Sequence, residues 1–100
     1  MFKHNNKIGL GTAQWGLDYG ISNTSGKTSE KEVSKILELA SSAGIKIIDT
    51  AQSYGDSEQI IGKNNLKDFK IITKLPPNFI FSNKPIKDIF FESLDNLGLK

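Results

Sequence analysis

The sequence contains no cysteine and no arginine, and it has a single histidine among 100 residues. Without cysteine the chain can form neither a disulfide nor a thiolate metal site. No apolar run is long enough for a secretion signal or a membrane span, so we expect a cytoplasmic protein. The net charge is only +2, and the lysines alternate with acids instead of forming a basic stripe. Nucleic-acid binding is therefore not expected.

The 37% hydrophobic and 24% charged residues are typical of a globular domain. Apolar runs predict strands, and amphipathic runs with capping residues and terminal glycines predict helices. The predicted strands cover residues 7–12, 45–49 and 69–74, and the predicted helices begin at Ser29, after Asp56 and near Pro85. Residues 13–28 contain three glycines and are predicted to form a loop. Alternation of strands and helices at this spacing indicates an α/β fold with a parallel sheet.

Three polar residues occur where the second and third strands end. Asp49 directly follows a run with three isoleucines, Lys74 closes the third strand, and Tyr54 lies in the loop after Asp49. Because parallel sheets of α/β proteins place their chemistry at the carboxyl ends of the strands, we expect these side chains to lie together. They form a candidate proton-donating site.

The chemistry explains why these residue types belong together. A phenol has a pKa of about 10 and is a poor acid at neutral pH, but a nearby ammonium favours the phenolate. A carboxylate paired with the lysine keeps the ammonium protonated and oriented. Such a group suits the reduction of a carbonyl, in which an oxyanion develops and must be protonated.

Each residue also has a purely structural interpretation. Lys74 could be a solvated strand end, Tyr54 a packed ring with a wet hydroxyl, and Asp49 a cap of the following turn. A dinucleotide-binding fingerprint is disfavoured, because Gln14 stands where its third glycine belongs and no helix is predicted before Ser29. A metal-dependent barrel enzyme is also disfavoured, because no histidine or paired-carboxylate set appears at the strand ends, and we expect no metal.

At this point the sequence resembles the aldo-keto reductases, through four segments in the same order. These are residues 9–16 (GLGTAQWG), 48–58 (IDTAQSYGDSE), 71–74 (IITK) and 93–98 (SLDNLG). The family is a (β/α)8 barrel that uses a nicotinamide cofactor, usually NADP(H), with NAD(H) as an alternative. A whole barrel needs about 250 residues, at roughly 30 per unit. The resemblance thus implies that residues 1–100 are the N-terminal part of one barrel domain and hold its first three βα units.

The resemblance also implies roles for individual residues. Asp49, Tyr54 and Lys74 match three of the four catalytic positions of the family, with Tyr54 as the general acid. The fourth position belongs to a histidine after the fourth strand, which this chain does not reach, and His4 cannot fill it. Gly11 and Thr12, together with Asp49, would accept the nicotinamide ring at the end of the first strand.

Trp15 and Tyr54 would contact a small carbonyl substrate, although Trp15 could equally cover the barrel rim. Residues 14–23 resemble a bacterial branch of the family that is often associated with sugar or surface-polysaccharide metabolism, which suggests a sugar-derived substrate. The alternative function is a non-catalytic binding or regulatory protein on the same fold, or a fragment that docks with a partner. The isolated 100 residues are expected to be inactive.

Overall fold

A three-stranded parallel sheet forms the centre of the computed structural model, which describes residues 7–18, 20 and 26–100. The strands are β1 (Gly9–Gly11), β2 (Ile47–Asp49) and β3 (Lys70–Ile72), in the order β1-β2-β3. Each lies inside its predicted run and is shorter than that run. The predicted parallel sheet is confirmed.

The two faces of the sheet differ. Leu10, Ile48 and Ile71 share one row of the register, and Ile48 is completely buried. The next row holds Gly11, Asp49 and Ile72, and Ile72 is half exposed. Neighbouring residues of a strand point to opposite faces of the sheet, so these two rows lie on opposite faces. The burial of Ile48 and the exposure of Ile72 show that helices cover the face of Ile48 and leave the face of Asp49 open.

Four helices accompany the sheet in the part of the chain that the structure describes. They are α1 (Ala13–Gly16), α2 (Glu30–Ser42), α3 (Ser57–Gly62) and α4 (Ile86–Leu97), with a 3-10 turn at Phe79–Phe81. The prediction of a continuous loop over residues 13–28 was wrong at its start, where α1 forms. This turn closes when the Trp15 amide donates to the Thr12 carbonyl (2.9 Å), and it carries the Trp15 ring into the core.

Helix α2 begins as predicted. The Ser29 hydroxyl accepts a hydrogen bond from the Glu32 amide at 3.2 Å, which satisfies one of the free donors of the first turn. Its buried residues are Val33, Leu37 and Ala40, at helical spacing. This face packs into the core, whose buried members are Trp15, Val33, Leu37, Ile48, Ile60, Ile61, Leu66 and Leu97.

Helix α3 begins after Asp56, as predicted, but the Asp56 side chain makes no capping hydrogen bond. The carboxylate instead forms an ion pair with Lys27 at 2.7 Å. This pair joins the end of the segment after β1 to the start of α3. The contact lowers the pKa of Asp56 below its ordinary value of 3.8, chiefly because Lys27 donates a hydrogen bond to it.

We predict that Lys27→Ala raises the pKa of Asp56 back toward 3.8. Because the folded-state pKa is lowered, the pair stabilises the fold above the unfolded-state pKa, and this contribution is lost as the pH falls through the folded-state pKa. The loss of stability is expected to be small, since both side chains are substantially exposed. An NMR titration of the Asp56 carboxyl carbon checks the prediction, with Lys87→Ala as control. An Asp56 pKa unchanged by Lys27→Ala would contradict it.

Several large apolar side chains from β3 to α4 are exposed. They are Ile72, Ile80, Phe81, Ile86, Phe90 and Phe91, each at least half exposed. Phe81 is the most exposed of them, at 80%. Within the described residues, no helix is long and apolar enough to cross a membrane.

Candidate active site

A cleft of about 330 Å³ opens at the carboxyl ends of β1 and β2. Its walls come from the end of β1, from α1, and from the segment that follows β2. The lining residues are Gly11, Thr12, Ala13, Gln14, Trp15, Gly20, Asp49 and Tyr54. The volume is at the lower end of the range for small-molecule sites.

Asp49 and Lys74 are in direct contact at the edge of this cleft. Asp49 is the last residue of β2, and Lys74 lies two residues beyond β3. The Lys74 ammonium donates to Asp49 Oδ1 and to the Thr50 carbonyl, the latter at 2.8 Å. Neighbouring parallel strands thus bring together two charges that are 25 residues apart in sequence.

The pKa of Lys74 is raised above its ordinary value of 10.5. The main cause is the hydrogen bond to Asp49, which partial burial opposes, with smaller contributions from the charge of Asp49 and from Tyr54. Lys74 therefore carries a full positive charge at neutral pH. About half of each side chain is exposed, because the face of the sheet that bears Asp49 is open.

Tyr54 lies next to this ion pair. The Lys74 ammonium is 5.4 Å from the centroid of the Tyr54 ring. The loop that carries the ring is held by two backbone hydrogen bonds, from the Tyr54 amide to Ala51 (3.2 Å) and from the Ser57 amide to Tyr54 (3.0 Å). The structure thus places an aromatic hydroxyl side chain, an ammonium and a carboxylate at one edge of the cleft.

Close backbone packing fixes the position of the Tyr54 loop. A Cβ atom added to Gly16 would lie 1.7 Å from the Tyr54 carbonyl oxygen. Gly55 has a φ of +56°, and a Cβ there would lie 2.2 Å from the Gly16 carbonyl oxygen. Both positions require glycine, so that α1 and the Tyr54 loop can touch through their backbones.

At the end of β1, Gly11 has open space beside it and the next residue, Thr12, is buried. A Cβ added to Gly11 would meet no atom within 4 Å, so the space beside this residue belongs to the cleft. Thr12 is completely buried, and its hydroxyl donates to the Asp49 carbonyl at 3.0 Å. The Thr12 side chain therefore supports the strand end, while Gly11 leaves room for a flat group.

Trp15 has two kinds of surroundings in the structure. It lines the cleft and also belongs to the hydrophobic core, with 5% of its surface exposed. The ring can therefore contribute an edge to the cleft and little more.

The family model for the aldo/keto reductase family matches residues 7–100. This chain belongs to the aldo/keto reductase family. The match covers all three strands and the residues of the cleft, and the parallel sheet with its helices fits the first part of the (β/α)8 barrel.

Two solved structures are similar to this aldo/keto reductase chain. One is PA4992 from Pseudomonas aeruginosa, a protein assigned as an aldo-keto reductase, with 32% identity over 91% of the chain and a TM-score of 0.75. The other is also an assigned aldo-keto reductase from Pseudomonas aeruginosa, with 27% identity over 91% of the chain and a TM-score of 0.69. The chain spans 38% and 36% of the lengths of these two proteins. Among curated proteins there is no match.

Several buried polar residues behind the cleft were not identified as site residues from the sequence. Thr50 and Ser57 are completely buried, and their hydroxyls lie 3.1 Å apart. The Ser57 hydroxyl also donates to the Thr12 carbonyl at 3.2 Å, so it connects β1, β2 and α3 behind the cleft. Small hydroxyl residues give little sequence signal, because they are equally common on surfaces.

Glu58, in the first turn of α3, was also not identified as a site residue from the sequence. Its side chain is 2% exposed and bonded to Thr73 and Asn96. The spacing in the sequence does indicate this burial. Glu58 is three residues before the apolar Ile61, so the two side chains lie on the same face of the helix.

Among the described residues, no group of histidine, cysteine and carboxylate side chains could hold a metal ion. His4, the single histidine of the chain, lies outside the described residues.

Proposed function

We propose that residues 1–100 form the first part of an NADP(H)-dependent aldo/keto reductase barrel that reduces an aldehyde or ketone to an alcohol. The observation that carries the proposal is the Lys74 ammonium, held by Asp49 and lying 5.4 Å from the Tyr54 ring at the edge of the cleft. This arrangement suits a proton donor whose conjugate base is stabilised by a fixed positive charge.

Each residue has a distinct part in the proposed reaction. Tyr54 donates its hydroxyl proton to the oxygen of the carbonyl as negative charge develops there. The Lys74 ammonium stabilises the phenolate that remains, and Asp49 keeps that ammonium protonated and oriented. A nicotinamide bound in the cleft would supply the hydride.

One observation supports the fit of a nicotinamide ring in the cleft. Gly11 has no side chain and no neighbour within 4 Å of where a Cβ would stand, so a flat ring can approach the end of β1. Gly11, Thr12 and Asp49 are the residues that would hold this ring, with Thr12 acting through its support of the strand end. The family resemblance favours NADP(H) over NAD(H).

The proposed substrate is a small carbonyl compound of the sugar-derived class, which contacts Tyr54 and the edge of Trp15. The proposed enzyme is cytoplasmic. We expect the isolated chain to turn over little or no substrate. The catalytic position of the family's histidine has no occupant in it, and the chain spans 38% of the length of PA4992.

Filling the cleft at Gly11 should abolish nicotinamide binding. Gly11→Leu is expected to fold, because its Cβ would have no neighbour within 4 Å, and its side chain is expected to occupy the volume that the ring needs. The chain has a single tryptophan, Trp15, which lines the cleft. Titration with NADPH should therefore change the Trp15 fluorescence of the wild type and leave that of Gly11→Leu unchanged.

Gly11→Ala is the graded control, with an intermediate loss of affinity expected from its single methyl group. Circular dichroism establishes that each variant is folded. Equal NADPH affinity of the wild type and folded Gly11→Leu would overturn the assignment of the cleft to the cofactor.

A further inference from the structure

Glu58 is a buried carboxylate that the proposed reaction does not use. It lies in the first turn of α3, 2% exposed, and takes part in none of the ion pairs found among the described residues. Its Oε2 accepts a hydrogen bond from the Thr73 hydroxyl at 2.7 Å, and its Oε1 accepts one from the Asn96 amide nitrogen at 3.0 Å. A carboxylate is costly to bury, so these two bonds are what keep it inside.

The Thr73 bond acts on the segment that carries Lys74. Residues 73 and 74 lie beyond the end of β3, so regular strand pairing no longer fixes their positions. Two backbone hydrogen bonds from the residues after β2 reach the end of β3 and this segment: the Thr50 amide donates to Ile72 (2.8 Å), and the Gln52 amide donates to Lys74 at the longer distance of 3.3 Å. In an extended segment, adjacent side chains point to opposite sides. Fixing Thr73 toward α3 therefore directs Lys74 toward Asp49.

The backbone of Glu58 belongs to the segment that carries Tyr54. Glu58 follows Tyr54 by four residues, and the Ser57 amide between them donates to the Tyr54 carbonyl at 3.0 Å. The tight contact of Gly16 with this loop limits its movement further. Glu58 thus connects the segment of the aromatic ring to the segment of the ammonium, without touching either group.

We propose that Glu58 is a positioning residue that sets the Lys74 ammonium against Asp49 and Tyr54 through its hydrogen bond to Thr73. Its importance for catalysis rests on the proposed function, whereas its effect on the placement of Lys74 does not. Asn96 holds the second carboxylate oxygen and so anchors the connection to α4.

Side-chain NMR of the lysine ammonium groups in the whole chain tests this proposal at mildly acidic pH. The Lys74 signal is assigned by its absence from Lys74→Arg. Because the ammonium donates to Asp49 and to the Thr50 carbonyl, its protons should exchange slowly with water in the wild type. We expect this slow exchange to be lost in Glu58→Ala and in Thr73→Val, which removes only the hydroxyl contact.

Two controls separate positioning from a general loss of stability. Glu58→Gln retains an oxygen that can accept from Thr73, so the slowly exchanging signal should persist. Leu37→Ala creates a cavity at a buried core position of α2 and should also leave the signal in place. If Glu58→Ala does not fold, Thr73→Val decides the result.

Slow exchange that persists in Thr73→Val would overturn the proposal. A Lys74 signal that is lost equally in Leu37→Ala, or that exchanges rapidly in the wild type, would also overturn it. Failure of the proposed reductase function would show instead as unchanged carbonyl reduction in Tyr54→Phe, which does not depend on the exchange of Lys74.

Discussion

Replacing Tyr54 by phenylalanine is expected to lower carbonyl reduction by about a hundredfold to ten-thousandfold, the usual contribution of a general acid. The expectation applies to a polypeptide that carries the complete barrel. The phenyl ring keeps the shape of the cleft wall but has no proton to give. Lys74 would retain its bond to Asp49, so the charge at the site would be unchanged while the transfer of the proton is lost.

The measurement compares kcat for reduction of an aldehyde with the dissociation constant of NADPH in the same preparations. Since Tyr54 would act only on the substrate oxygen, NADPH binding should be nearly unchanged. Tyr19→Phe is the matched control, because it removes the other tyrosine hydroxyl of the chain, to which no role is assigned. Turnover that survives Tyr54→Phe undiminished would exclude this residue as the acid.

The proximity of Asp49 and Lys74 could be predicted from the sequence for a simple reason. The carboxyl ends of adjacent parallel strands meet at one edge of a sheet, and the apolar runs before both residues mark those strands clearly. Tyr54 followed from its place in the short segment after β2. The arrangement depends on chain direction and strand order, both of which follow from the alternation of elements.

Other parts of the site depend on tertiary contacts that leave little trace in sequence. The helical turn α1 forms where glycine and small polar residues favour a loop, because burial of Trp15 outweighs the local preference. Asp56 looked like a helix cap, but Lys27 lies close enough to bind its carboxylate. In both cases a tertiary contact decides the local structure, and the periodicity of a segment carries no information about such contacts.

The contact between Gly16 and the Tyr54 loop gives the second large effect. Gly16→Ala is expected to destabilise the fold by about 3 kcal/mol, at the upper end of the range for overpacking. Helix propensity alone favours the opposite result, because alanine is better than glycine within a helix by about 1 kcal/mol. The clash should dominate, since the added Cβ would lie 1.7 Å from one backbone atom and 2.6 Å from another, and backbone cannot rotate away as a side chain can.

Gly11→Ala provides the matched control in the same part of the molecule. Its Cβ meets no atom within 4 Å, so the substitution should be neutral or stabilising by up to about 1 kcal/mol through the unfolded chain. Urea denaturation of both variants measures the difference in the free energy of unfolding. Equal stabilities would mean that α1 and the Tyr54 loop do not touch through their backbones. A selective loss of stability in Gly16→Ala would instead mean that the backbone of α1, which lines the proposed cofactor cleft, supports the loop that carries Tyr54, the proposed proton donor.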